Sequence, residues 1–361
     1  MLTSAAIKTR AKEIGFDLCG IAPAAAFPEL TFLREWLDRG YAGTMNYMSR
    51  TAERRSDVRR VLPSARSVIV TGTLYDVDRP YSVERTDPGE AAVARYAWGN
   101  DYHDVISERL SFLLVWMREQ HPEPFEARAY IDTGPVQERV YAQYAGLGWI
   151  GKNTCLINAE AGSWLFLAEI VCSLDLEADT PGLDQCGTCT LCIEACPTHA
   201  IVEPHVLDAT RCLSYLTIEL RGPIPEPQRD AIGTHVFGCD ICQEVCPWNV
   251  RPVRTDNVDW QPRPGLEAPR LTDLWRRSDA DLASLIGGTA LTRAGVKGLR
   301  RNLAVALGNS GDASALDALQ TERASDDGSV RDAVVAEHID WARQKLIKLR
   351  KTPPRRTSKR G

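Results

Sequence analysis

Residues 186–197 read Cys-Gly-Thr-Cys-Thr-Leu-Cys-Ile-Glu-Ala-Cys-Pro, and residues 239–247 read Cys-Asp-Ile-Cys-Gln-Glu-Val-Cys-Pro. No other feature limits this chain so strongly. Three thiolates at C-x2-C-x2-C spacing grip one iron-sulfur cube from a single tight loop, and a fourth cysteine three residues on, before proline, reaches a neighbouring cluster. Cys186, Cys189, Cys192 and Cys196 satisfy that spacing in full. The second run holds only its last three members, Cys239, Cys242 and Cys246, because Val236 stands where the first belongs. Cys212 is the unassigned cysteine between the runs, and with it the ligand sum closes at eight. We therefore expect Cys186, Cys189, Cys192 and Cys246 on one [4Fe-4S] cluster, and Cys196, Cys212, Cys239 and Cys242 on the other. Zinc also binds paired C-x2-C motifs but has no use for the Cys-Pro crossover. Disulfides suit small secreted chains; here eight of eleven cysteines crowd between 186 and 246 of a 361-residue chain, which favours metal ligation. Cys19, Cys155 and Cys172 stand in apolar or strand contexts and read as buried structural thiols.

Such a cluster module occupies a small part of 361 residues, so the remainder needs its own account. At 44% hydrophobic and 25% charged the chain can bury real cores, and its length suggests two or three domains. The start, MLTSAAIKTRAKEIGF, lacks an apolar run of signal-peptide length, and no stretch approaches the roughly 18 apolar residues of a membrane span. We expect a cytoplasmic protein without membrane contact. The net charge of −5 conceals an asymmetry: residues 342–361 carry nine Lys or Arg and no acid, which leaves the first 341 residues at −14. A basic tail of this kind can screen phosphates and release counterions.

Along the first 178 residues helices and strands alternate. Helices are expected from Thr3 or Ser4 to Gly15, from Pro28 to Arg39, from Tyr102 to Glu119 and from Pro135 to Ala145, the last with proline in its first turn. Strands are expected at Leu18–Ala22, Ser67–Tyr75, Ala127–Ile131 and Trp164–Val171, so the segment reads as an α/β domain. The cysteine-rich block fills 179–255, a Pro-rich connector runs through 252–269, and short amphipathic helices occupy 256–345, ahead of a basic tail at 346–361. The helices around LRRNLAVALGNSGDASALDALQ look like a HEAT-type stacked hairpin, an architecture that offers an extended binding face. Arg293, Lys297, Arg300 and Arg301 lie in a stretch, 282–311, without acids and point to an anionic partner.

Clusters move single electrons and select no substrate, which places the chemistry in the first domain. Asp132 follows a strand and precedes Thr133-Gly134-Pro135 and a helix, where α/β domains commonly hold ligands. As a general acid it needs burial to keep its proton, whereas the nearby helix N-terminus favours the carboxylate. Tyr96 and His103, near Trp98-Gly99, are further candidates, as is the turn Gly148-Trp-Ile-Gly-Lys-Asn-Thr154. That glycine-rich turn follows a helix rather than a strand, so it is poor support for a nicotinamide cofactor.

Together, Ala94-Arg-Tyr-Ala-Trp-Gly-Asn-Asp-Tyr-His103, Asp132-Thr-Gly-Pro-Val-Gln-Glu-Arg139, Gly148–Thr154 and both cysteine runs closely resemble the epoxyqueuosine reductases, over nearly the whole chain. The resemblance implies an α+β multidomain protein: an N-terminal α/β cobalamin-binding domain, a central bacterial-ferredoxin-like two-cluster module and C-terminal α-helical HEAT-like repeats. It implies reduction of epoxyqueuosine to queuosine at the tRNA wobble position, with cobalamin and two [4Fe-4S] clusters as cofactors and Asp132 as proton donor. Corrin contacts are then expected from Arg55, Arg95, Tyr96 and Asp132, and from Trp149, Lys152, Asn153 and Thr154. Arg293, Lys297, Arg300 and Arg301 would meet the tRNA backbone. An external low-potential donor and a monomeric enzyme complete the expectation. A corrinoid reductive dehalogenase shares the cofactor plan but needs no basic helical C-terminus; a non-catalytic electron carrier or RNA-binding adaptor needs no Asp132.

Overall fold

Thr3 accepts the Ala6 N–H and opens helix α1, Ser4–Ile14, which Gly15 closes in the left-handed region as a C-cap. The computed structural model describes residues 2–320 and 328–351. It is a mixed helix and sheet chain that divides into two compact units. The first contains residues up to Val83, Arg95–Cys212 and Asp240–Gln261; the second contains Glu84–Ala94, Leu213–Cys239 and the residues from Pro262 onward.

The first unit is built on one four-stranded sheet. Its strands are β1, Leu18–Pro23; β2, Ser67–Leu74; β3, Ala127–Tyr130; and β6, Leu165–Cys172. Between β3 and β6 a small hairpin pairs β4, Trp149–Ile150, with β5, Leu156–Ile157. The sheet order is β1-β2-β6-β3, and every neighbour is antiparallel. Helix-strand alternation left the direction of the strands open. Hydrophobic periodicity records which face of a strand is buried; it carries no record of direction. β2 is buried over its whole length, as a central strand covered on both faces must be.

The longer helices of this unit after α1 are α2, Pro28–Asp38; α3, Asn46–Arg55; α4, Tyr102–Gln120; and α5, Glu138–Tyr144. Val68, Val70 and Val171 turn to one face of the sheet, where they meet Val140, Tyr141 and Ala142 of α5. α3 has no fully buried residue, which is why periodicity gave no sign of it. α5 was expected from Pro135 but begins at Glu138, because residues 132–137 form a loop of their own.

In the second unit Ala92–Val93 pairs in parallel with His235–Phe237. Five helices follow: α6, Leu271–Arg276; α7, Asp279–Ile286; α8, Gly295–Ser310; α9, Ala313–Gln320; and α10, Ala333–Lys351. α8 is buried almost all round and lies against α10 so closely that a Cβ at Gly308 would sit 2.9 Å from Ala342 Cα. Residues 346–351, expected as the start of a basic tail, continue helix α10; the rest of that segment, 352–361, lies outside the described residues. Among the described residues no helix is long and apolar enough to cross a membrane.

Candidate active site and iron-sulfur ligands

Beyond β3 the backbone makes a constrained turn. Asp132 adopts a φ of +53°, a left-handed conformation that costs a non-glycine residue energy and collects at functional sites. Gly134 permits it, because a Cβ there would lie 2.5 Å from the Tyr130 ring. The Asp132 N–H donates to Glu138 Oε1 at the first residue of α5.

The start of α4 faces this turn. Asp101 caps the helix by accepting the His103 N–H, and its carboxylate lies 2.8 Å from His103 Nδ1. The neighbouring Tyr102 hydroxyl donates to Asp132 Oδ2 at 2.8 Å, while His103 Nε2 lies 3.7 Å from the same oxygen. Tyr102 is held flat against Phe166 of β6, 4.6 Å between centroids and 9° between planes, with Tyr96 edge-on at 6.1 Å. The Asp132 side chain remains 63% accessible.

Electrostatics decide where the proton sits. The His103 ring beside it holds the Asp132 carboxyl below its usual range, with help from the Tyr102 hydroxyl and against the effect of burial. The same pairing raises His103, and Asp101 adds to the effect. Burial, reinforced by Asp132, raises the Tyr102 hydroxyl. The pairing therefore favours the carboxylate at Asp132 and the protonated ring at His103. The competition framed from sequence, burial against helix N-terminus, is settled by a histidine that periodicity had placed in an ordinary helix start.

Two further carboxyls, Glu138 and Glu169, were not singled out from sequence. Burial and Asp132 push Glu138 up to about 7, and burial and Glu138 push Glu169 far above the carboxylate range. A glutamate amid the apolar run Leu165–Cys172 was the available signal.

The residues expected on a corrin fall into two groups. Arg95 is buried, ion-paired to Asp76 at 3.1 Å and donating to the carbonyls of Val77, Arg79 and Pro80, so its proposed corrin contact is corrected. Lys152 and Asn153 face the cysteine loops. Lys152 Nζ donates to the Gly187 and Cys189 carbonyls, and Asn153 Nδ2 to that of Cys242. Trp149 is buried against Cys246 and Cys186 and meets Trp248 edge-on at 5.0 Å. These three residues clamp the iron-sulfur loops, a role the glycine-rich turn did not reveal. Arg55, which donates to Thr51 Oγ1 and the Val136 carbonyl, Tyr96, and Thr154 with a φ of +66° lie in the first unit without such burial.

Cys186, Cys189, Cys192 and Cys246 all lie in the first unit. Burial, then Cys186 and Cys189, raise Cys192; burial pushes Cys246 up to about 11, with Cys186 and Cys192 adding to it. Cys196 Sγ accepts the Ala200 N–H at 3.2 Å, the bond that stabilises a metal-bound thiolate. Cys196, Cys212 and Cys242 belong to the first unit, and Cys239 ends the segment Leu213–Cys239 of the second, packed on Leu213, Ile224, Ile232 and Val305. The chemistry of these thiols, soft donors with an amide N–H on Cys196 and a lysine at the carbonyls of Gly187 and Cys189, suits iron-sulfur ligation. Of the three remaining cysteines, burial pushes Cys19 up to about 12 and Cys172 to about 11, as inert core thiols require. Cys155 differs, lowered to about 7 chiefly by a hydrogen bond with Cys242.

In the second unit Arg300 and Arg301 are fully buried. Arg300 pairs with Asp279 and donates to the Trp275 carbonyl; Arg301 donates to the carbonyls of Leu216, Leu220 and Gly222. Neither can reach a phosphate from there, and their expected tRNA role is corrected: α8 is buried from Leu299 through most of its length, so an acid-free stretch was not an exposed face. Arg293 and Lys297 are both about half exposed, paired with Glu219 and Asp332.

Comparison with known proteins follows the same division. A family model described as "Epoxyqueuosine reductase QueG, DUF1730" matches residues 55–133, and one for a "4Fe-4S double cluster binding domain" matches residues 185–249. The chain is 42% identical to the epoxyqueuosine reductase of Xanthomonas campestris pv. campestris, covering 94% of this chain and 95% of that one. It is 38% identical to that of Escherichia coli, over 95% and 89%. A crystal structure of epoxyqueuosine reductase with an epoxyqueuosine-modified tRNA-Tyr stem loop superimposes with a TM-score of 0.83 at 31% identity, over 94% of this chain and 89% of that one.

Proposed function

The chain belongs to the epoxyqueuosine reductase family, and on that premise we propose that it reduces epoxyqueuosine in tRNA to queuosine, with Asp132 delivering a proton to the departing epoxide oxygen. The reaction consumes two electrons and two protons and releases the oxygen as water. Cobalamin and two [4Fe-4S] clusters are the cofactors, and when bound they supply the electrons one at a time from an external low-potential donor.

The observation that carries this reading is the accessible Asp132 carboxyl, bound by the Tyr102 hydroxyl at 2.8 Å and with His103 Nε2 3.7 Å away, a pairing that lowers Asp132 and raises His103. When a substrate base enters and excludes water, desolvation raises the proton affinity of Asp132 and lowers that of His103. Both shifts favour movement of the proton from His103 Nε2 to Asp132 Oδ2, from which it passes to the oxygen. Tyr102 fixes the receiving oxygen throughout.

A corrin fits beside these residues: His103 Nε2 is a buried ring nitrogen with no partner at hydrogen-bonding distance, next to a flat Tyr102–Phe166 stack. Arg55, Tyr96, Asp132 and Thr154 would hold it. Around this centre we keep the two-cluster module as ferredoxin-like and the C-terminal helices as HEAT-like. The working division remains 1–178, 179–255, 256–345 and 346–361, in a monomeric cytoplasmic enzyme. Arg293, Lys297 and the cations of 342–361 would meet tRNA phosphates, with the modified base splayed into the pocket.

The test uses cluster-reconstituted protein, cobalamin, a low-potential reductant and a stem loop carrying epoxyqueuosine. Queuosine should form, and Asp132→Asn should lower turnover by about 10²–10⁴ while the visible spectrum of bound cobalamin persists. No conversion with intact clusters and bound corrin would refute the function.

A further inference from the structure

Glu169 occupies a core position. It stands on β6 opposite Val70 on one side and Tyr130 on the other, and its side chain is 0% exposed. Residues directly opposed across an antiparallel ladder share a face, here the face α5 covers. Neither carboxyl oxygen has a hydrogen-bond partner among the described residues. An ionised, unpartnered carboxylate there would cost several kcal/mol, so the group stays neutral. The groups acting on it are Glu138, Asp132 and Arg55; those acting on Glu138 are Asp132, Arg139 and Glu169. Glu138 in turn accepts the N–H of Asp132, the residue whose backbone is held at a φ of +53°.

We propose that Glu138 is a positioning residue for Asp132: its carboxylate, backed by the neutral acid Glu169, ties the Asp132 N–H and so holds the left-handed turn that presents the working carboxylate. A strained conformation persists only where surroundings over-determine it. This loop has one side-chain acceptor on its key amide, and that acceptor comes from the first residue of the next helix. Glu169 supplies what a valine there would not, a second acid on the buried side of Glu138, close enough for each to shift the other's proton affinity. The inference rests on the reading of Asp132 as proton donor.

Hydrogen-deuterium exchange of the protein without substrate separates the two ideas. Glu138→Ala should speed exchange of segment 131–136 at least tenfold, and Glu138→Gln, which keeps an acceptor oxygen, should hold it within threefold of wild type. If the alanine variant fails to fold, Glu138→Ser repeats the test with a side chain too short to reach. In the loaded enzyme, Glu138→Ala should lower kcat at least tenfold with KM for the tRNA stem loop within threefold, and Glu138→Gln should restore most of it. Unchanged exchange in Glu138→Ala or Glu138→Ser, or equal acceleration in Glu138→Gln, overturns the assignment. If instead Asp132→Asn retains full turnover, the proton-donor reading fails while the exchange result stands.

Discussion

Replacement of His103 by glutamine should convert a flat pH profile near neutrality into a falling one. In the wild type the proton destined for Asp132 waits on His103, whose affinity is raised by Asp132 and Asp101. The rate should therefore hold below the raised His103 pKa and decline as pH climbs through it. In His103→Gln only Asp132 can carry that proton. At 3.7 Å the lost ion pair is worth about 1 kcal/mol in a water-like dielectric. With 63% of the Asp132 side chain accessible a larger value is not justified. An ordinary aspartate, with a pKa of about 3.9, is protonated in roughly one molecule in 10³ at pH 7. Losing the pair, worth about 1 kcal/mol, only returns Asp132 to that ordinary range, so turnover at pH 7 should drop about 10³-fold and recover as pH is lowered. Linkage gives a second readout. The pair stabilises the fold between the lowered Asp132 pKa and the raised His103 pKa, is lost as pH rises through the latter or falls through the former, and is absent in the variant. Single-turnover conversion of a modified stem loop from pH 5.5 to 9, scored by nucleoside mass spectrometry, measures the effect. A variant within threefold of wild type at pH 7, with the same upper midpoint, would refute the proton's placement on His103.

Arg301→Ala should destabilise the second unit by about 3 kcal/mol, because three backbone carbonyls lose their donor in a dry interior; Arg293→Ala, at a half-exposed pair, should cost under about 1 kcal/mol. Denaturant unfolding compares them, and equal losses would contradict the burial. Cys212→Ser should lower iron from about eight to about four atoms per chain, with one cluster signal remaining by electron paramagnetic resonance. Retention of eight would remove Cys212 from the ligand set and turn attention to Cys155, which lies beside Cys242.

The cluster ligands were legible because iron-sulfur coordination is written in spacing along the chain, and the gap at Val236 is as informative as the cysteines themselves. The main helices and strands of the first unit were legible for a similar reason: each is a local periodicity ended by Gly or Pro. Asp132 could be singled out from its place after a strand and before a helix. Its protonation could not, since the deciding partner, His103, is 29 residues away and meets it only because α4 and the loop after β3 come together. The same holds for the pairing of Glu138 with Glu169, and for Lys152 and Asn153, whose local context suited a flat ligand but whose hydrogen bonds go to cysteine loops 35 to 89 residues distant.

By itself, then, the sequence determined what is set by near neighbours: ligand spacing, element positions and the chemistry on offer. Tertiary structure decided what depends on distance and desolvation. It made the sheet antiparallel, buried Arg95, Arg300 and Arg301, which composition counts as surface charges, and divided one proton between His103 and Asp132. Burial and electrostatic energy depend on how many atoms crowd a group in three dimensions, and residue order along a chain leaves that number open until the chain is folded.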